Sequence, residues 1–197
     1  MTSDAPRFIL ASASPRRRQL LADAGFAFDV VEPEVDEILS ANFTVSEATC
    51  WNALRKGLVV ARAHPEQVVL AADTLVGLGQ QIIGKPADRA AAARILRRLS
   101  GRTHVVVSAV FIAHLRRGKS ESFSVSSRVV FKRLSDRMID NYLALIDPLD
   151  KAGAYAAQGH GSAIIARIIG SRSNVIGLPL EKTRAGLARF DVHRRPA

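Results

Sequence analysis

Cysteine is almost absent from this chain: Cys50 is the only one in 197 residues, which excludes an internal disulfide and any cysteine-built zinc site. Aromatic residues are scarce at 6%, and none is interleaved with the basic clusters, which argues against a stacking platform for single-stranded nucleic acid. The longest apolar runs have the length of short strands, well under the roughly 18–20 residues that a membrane span requires. The opening Met-Thr-Ser-Asp-Ala-Pro shows no basic region followed by an apolar segment, so it does not read as a secretory signal. No Gly-x-x-x-x-Gly-Lys-Ser/Thr loop occurs, which removes the P-loop class. A cytoplasmic protein with no membrane partner is expected.

What is present is an ordinary globular composition, 48% apolar with a formal charge of +10. The length suits a single domain over 1–197, or one domain with two lobes about a cleft. Its ends, about 1–6 and the basic stretch 191–197, read as disordered. The charge makes a polyanionic partner plausible but does not choose among nucleic acid, anionic lipid and a triphosphate.

The stretch Leu10-Ala-Ser-Ala-Ser-Pro-Arg-Arg-Arg18 organises the first part of the chain. Arg7–Ala11 reads as a buried strand, Ser14 as an N-cap and Pro15 as the first position of a helix that Gly25 ends. Arg16, Arg17 and Arg18 crowd a helix start whose free N–H groups and dipole already favour an anion. A phosphate there would turn that conflict into an asset; the plain alternative is that the arginines fan into solvent. A second strand, Phe26–Val31, leads to the acidic turn Glu32-Pro-Glu-Val-Asp-Glu37, which is either a solvated loop or a holder for a hard cation.

Thr44-Val-Ser-Glu47 is a capping box that opens a helix from about 45 to 63. Trp51, Leu54, Leu58 and Ala61 read as its core stripe, which leaves Lys56 off the stripe, for a ligand or for solvent. Cys50 reads as a packing residue. The run Val68–Thr74 reads as a strand covered on both faces that delivers Asp73 at its C-terminal end, where α/β sheets bind ligands. A buried aspartate needs a cation, a metal or donors, so Asp73 reads as functional. A hairpin over Val76–Ile83 ends in Gly84-Lys85-Pro86, a corner that fixes the direction of a lysine.

Asp88 caps a helix through Leu99, and two strands follow over about His104–Leu115 and Ser120–Leu134. His104 and His114 lack the spacing of a metal pair and read as structural or exposed. Ser135 opens a further helix, Ala163–Ile169 reads as a strand, and Pro179 starts the last helix. Between them, 147–159 mixes small residues with an acid, a lysine and a glutamine as regular elements do not.

Five blocks in one order, Ser12-Ala-Ser-Pro-Arg-Arg17, Ala72-Asp73-Thr74, Gly84-Lys85-Pro86, Asp150-Lys-Ala-Gly-Ala-Tyr155 with Gln158, and Gly170-Ser-Arg-Ser-Asn-Val-Ile-Gly-Leu-Pro179, resemble the Maf family of nucleoside triphosphate pyrophosphatases. The resemblance implies an α/β fold like that of inosine triphosphate pyrophosphatases: an elongated mixed β-sheet with flanking helices and two lobes around a central cleft. It implies hydrolysis of a nucleoside triphosphate to the monophosphate and pyrophosphate with a divalent cation, Mg2+ or Mn2+, in a homodimer. Carried over by residue, Asp73 would accept the proton of the attacking water and Glu37 would be a metal-linked acid, these two holding the metal. Lys85 would stand in the catalytic set, and Ser12, Arg16, Lys56 and Lys85 would surround the phosphates. Arg16, Thr74 and Gln158 fall on positions associated with choice of base. The block 150–158 is similar to the branch acting on dTTP and UTP, not 7-methyl-GTP. Ala156-Ala157 departs from a more usual Gly-Ile, and Arg172 stands where Tyr or Phe is usual. The rival reading is a basic regulatory protein tied to cell division or nucleic acid; it leaves the acids placed near the cations unexplained.

Overall fold

The computed structural model describes residues 7–40 and 42–194. A seven-stranded mixed sheet runs in the order β2 (Phe28–Val31), β1 (Phe8–Ala11), β3 (Val69–Leu78), β5 (Thr103–His114), β6 (Lys119–Phe131), β7 (Ile165–Ile169), with β4 (Gln81–Ile83) hydrogen-bonded to β3. The helices are α1 (Pro15–Asp23), α2 (Val45–Ala63), α3 (Arg89–Leu99), α4 (Asp136–Leu145), α5 (Arg172–Ile176) and α6 (Leu180–Ala188).

The site follows from a break in the pairing along β3. One edge of this strand is paired with β5 without interruption from Val69 to Gly77. The other edge pairs in parallel with β1 only over Val69–Ala71, because β1 ends at Ala11 and the chain turns into α1. It pairs again, antiparallel with β4, only from Val76. Residues 72–75 therefore have no strand beside them on that edge, and a cleft opens through the sheet. Asp73 does not close a strand, contrary to the sequence expectation; it lies midway along a long one, because pairing with β5 and the β3–β4 hairpin carries the strand on to Leu78.

Alternation along β3 divides the core. Leu70 and Ala72 pack with Phe8, Leu21, Leu178 and Leu187 on one face. Val69 and Ala71 pack with Ala53, Val60 and Phe111 on the other, beneath α2. Beyond the break, Val76 and Ile83 join Leu96, Phe131, Ile139 and Tyr155 in a separate cluster around α3 and α4, which forms the second lobe.

The capping box starts α2 as expected: the Thr44 N–H donates to Glu47 Oε2 at 2.8 Å and the Glu47 N–H to Thr44 Oγ1 at 3.2 Å. Its buried face differs from expectation. Trp51 is 46% exposed and Leu54 and Leu58 are half-buried, while Ala48, Thr49, Asn52, Ala53, Lys56, Gly57, Val60 and Ala61 face the sheet. Small side chains let α2 lie close on β5: a Cβ built at Gly57 would stand 2.3 Å from Phe111 Cδ1. That rotation turns Lys56 inward, where the sequence pattern places it outside the core stripe.

Two smaller corrections concern the ends of elements. Ser14 sits at the N-cap of α1 but its hydroxyl makes no cap bond; instead Ser12 Oγ accepts from the Ser14 N–H at 3.2 Å. At the C-terminus, Val192 is buried against the core shared with Phe26 and Phe190, so the solvated end begins later than 191. Residues 1–6 and 195–197, also expected to be disordered, lie outside the described residues.

Candidate active site

Consecutive residues of β3 carry the two sides of the cleft. Asp73 shares its face with Val69 and Ala71 and meets α2; it is buried, with Oδ1 2.6 Å from Lys56 Nζ and Oδ2 accepting from Asn52 Nδ2 at 3.3 Å. Lys56 Nζ also donates to Glu37 Oε1 at 2.9 Å, and Lys85 Nζ reaches that same oxygen at 3.0 Å. Asp73, Lys56, Glu37 and Lys85 thus form a chain of alternating sign. Burial would raise the Glu37 carboxyl, but the charges and hydrogen bonds of Lys56 and Lys85 outweigh it and hold the group down at about 2.

The acidic turn separates into one acid that lines the cleft and three exposed ones. Glu32, Glu34 and Asp36 point outward, and Glu32 pairs with Arg18 at 3.0 Å. Glu37 alone turns in, because α2 grips the backbone around it: Arg55 Nη1 donates to the Asp36 carbonyl at 2.8 Å and Asn52 Oδ1 accepts from the Ile38 N–H at 2.8 Å.

Thr74 faces the opposite side. Its Oγ1 accepts from Arg17 Nη2 at 3.0 Å and lies 2.8 Å from Ser108 Oγ. Arg17 is buried, donating from Nε to the Gly177 carbonyl at 2.8 Å and from Nη1 to Ser12 Oγ at 3.1 Å. Burial lowers its pKa, opposed by the negative charges of Asp73 and Glu37. Asn174, wholly buried, ties this side together through Ser108, Ser127 and the Val106 carbonyl. Arg16 sits at the rim, its Nη1 2.6 Å from Asp150 Oδ2, so it bridges the cleft from α1 to the segment before the 3₁₀ turn Ala152–Ala154.

One cleft takes in Ser12, Arg16, Lys56, Asp73, Thr74, Lys85, Glu37 and Gln158, every site residue expected from the sequence. Its lining is mixed: arginines, lysines and Ser12 share it with Val76, Val106, Ala152, Tyr155, Val175 and Ile176, which all belong to or pack against the core cluster of the second lobe. The wall residue Tyr155 is fixed by its hydroxyl, 2.7 Å from Nε2 of the buried His104. His104 and His114 are both buried, and the half-buried Cys50 packs beside the α2-face core.

The donor set bears on metal binding. Among the described residues no group of three or more His, Cys, Asp or Glu could cage a metal ion. Two carboxylates on one rim, both within 3 Å of the same ammonium, fit instead a hard cation that takes its remaining ligands from phosphate oxygens and water, as Mg2+ does.

Sequence reasoning missed Arg17, Asn52 and Asp150. Asn52 and Lys56 stand four apart, in phase with Ala53, Gly57, Val60 and Ala61; that run of small residues was the signal of the close-packed face. Nothing local distinguishes Arg17 from its two neighbours before the phase of α1 is known.

A sequence model of the family described as Maf-like protein matches residues 7–190. The dTTP/UTP pyrophosphatase of Myxococcus xanthus (strain DK1622) is 45% identical over 189 residues, covering 96% of this chain and 95% of that protein. That of Anaeromyxobacter dehalogenans (strain 2CP-C) is 46% identical over 190 residues, 94% of each chain, and that of Clostridioides difficile (strain 630) is 41% identical over 174 residues, 88% of this chain and 90% of its own. Among solved structures, the Staphylococcus aureus Ham1 protein matches with a TM-score of 0.47 at 15% identity, over 93% of this chain and 99% of that one. Among the described residues no helix is long and apolar enough to cross a membrane.

Proposed function

The chain belongs to the Maf-like protein family, and from that premise we propose that it hydrolyses the α–β phosphoanhydride of dTTP or UTP, releasing the nucleoside monophosphate and pyrophosphate, as a cytoplasmic enzyme that clears the nucleotide pool. The observation that carries this reading is the mixed lining of the cleft. Its cations beside two carboxylates suit a triphosphate, and the apolar residues Tyr155, Val106 and Val175 suit a planar base. The names of the similar proteins supply the pyrimidine.

Ser12 and Arg16 would hold the phosphates at the start of α1, with Lys85 at the opposite rim. Glu37 and Asp73 are the residues that would hold the divalent cation, Mg2+ or Mn2+, which when bound neutralises charge on the phosphate oxygens. Asp73 takes the proton of the attacking water as the new P–O bond forms and pyrophosphate leaves. Lys56 places its charge against both carboxylates and would also meet the phosphates. Thr74 and Gln158, which also line the cleft, would meet the polar edge of the base. A homodimer is proposed from the family alone, and light scattering checks it.

The test is release of pyrophosphate and monophosphate from dTTP, UTP, CTP, GTP and 7-methyl-GTP with Mg2+ or Mn2+. Cation-dependent cleavage of dTTP or UTP is expected; cleavage of 7-methyl-GTP in preference to both would overturn the choice of base, and no cleavage of any would overturn the reaction.

A further inference from the structure

We infer that Asn52 is a positioning residue that fixes the Glu37 and Asp73 carboxylates relative to one another through a directional amide. The inference rests on the reading of Asp73 as proton acceptor and Glu37 as the cation-holding acid. Asn52 has no exposed surface. Its Oδ1 accepts from the Ile38 N–H at 2.8 Å, and its Nδ2 donates to the Ile38 carbonyl at 3.2 Å and to Asp73 Oδ2 at 3.3 Å. Only this orientation of the amide works: turned over, Oδ1 would face a carbonyl and a carboxylate, both acceptors, and the Ile38 N–H would face a donor.

One side chain therefore pins the peptide next to Glu37 and one oxygen of Asp73. Lys56 also touches both acids, at 2.9 and 2.6 Å, but an ammonium is a rotatable point charge that tolerates drift. The amide is planar and aimed. An apolar residue here would pack equally well on the alanine face of α2, so burial alone does not call for asparagine.

Asn52→Leu, of similar size, removes all three bonds. Expected are a fall in kcat and a rise in half-saturating Mg2+ of about 10–100-fold, with KM for the nucleotide within about threefold, since Ser12 and Arg16 belong to another element. Asn52→Asp keeps an acceptor for the Ile38 N–H but sets a second carboxyl against Asp73. Its kcat should fall by about 10–100-fold although the Ile38 N–H keeps its acceptor, because the donor to Asp73 Oδ2 is gone, a separation that a merely structural role would not give. Amide hydrogen exchange supplies a readout independent of activity: the Ile38 N–H should exchange faster in Asn52→Leu and stay protected in Asn52→Asp. Wild-type kcat and Mg2+ requirement in Asn52→Leu, wild-type kcat in Asn52→Asp, or unchanged exchange at Ile38 in Asn52→Leu would each overturn the inference. If Asn52→Leu does not fold, Asn52→Asp carries the test. If the wild type cleaves no nucleotide, the hydrolytic reading fails on its own, and exchange at Ile38 still decides whether Asn52 holds the loop.

Discussion

Asp73 and Thr74 are neighbours in β3 yet serve opposite faces of the sheet: Asp73 meets Lys56 of α2 at 2.6 Å, and Thr74 meets Arg17 of α1 at 3.0 Å. A cleft that passes through the sheet between β1 and β4 is what allows both to line one cavity.

Replacing Asp73 by Asn keeps the shape and the Asn52 contact but removes the proposed proton acceptor. Pyrophosphate release from dTTP or UTP should fall by about 10²–10⁴-fold, while circular dichroism and the thermal midpoint show a folded protein. Wild-type turnover would remove Asp73 from the mechanism.

Acid should weaken the fold in two steps. Burial lowers the His104 pKa from 6.5 to about 4, so the stability gained by keeping it neutral is complete above 6.5 and lost as pH falls toward 4. Glu37, lowered from 4.5 to about 2, contributes above 4.5 and loses that contribution as pH falls toward 2. Urea midpoints measured against pH in EDTA should show both steps in the wild type, and Glu37→Gln should shrink the lower one, to which Asp150 and Glu47, also lowered by their partners, still contribute, and leave the upper one in place.

Gly57→Ala reverses the usual sign for a helix. Alanine gains about 1 kcal/mol over glycine in an isolated helix, but a Cβ 2.3 Å from Phe111 forces α2 off the sheet. A net loss of about 1–3 kcal/mol is expected by chemical denaturation, with a lower kcat because Lys56 and Asn52 move with the helix.

Tyr155→Phe removes the one side-chain hydrogen bond that His104 makes among the described residues. The imidazole is 1% exposed and its Nδ1 already has no partner among the described residues. The variant should lose about 1–3 kcal/mol, read as a lower denaturation midpoint. An unchanged midpoint would mean that the bond contributes nothing net.

Local signals were legible wherever the cause was local. Thr44 and Glu47 mark the start of α2, and its end at Ala63 is where the pattern puts it. Asp73, Lys85, Glu37 and the Arg-rich start of α1 converge on one cleft as expected. What misled was the weight given to Trp51 and Leu54. The facing surface of β5, with Phe111 crowding Gly57, decides the phase of α2, and no window of sequence around residue 50 contains it. The length of β3 was hidden for the same reason, since its later half is held by strands β4 and β5, still to come in the chain.

The Arg17–Gly177 hydrogen bond spans 160 positions of sequence, and that span sets when the cleft can exist during synthesis. A growing chain can pair β1 with β3 and lay α2 across them while its C-terminal quarter is still in the ribosome, but Thr74 and Arg17 then lack the carbonyl that closes their side of the cleft. Catalytic competence should therefore appear last, after most secondary structure has formed. Activity would then report completion of the fold, where helix content would report only its beginning.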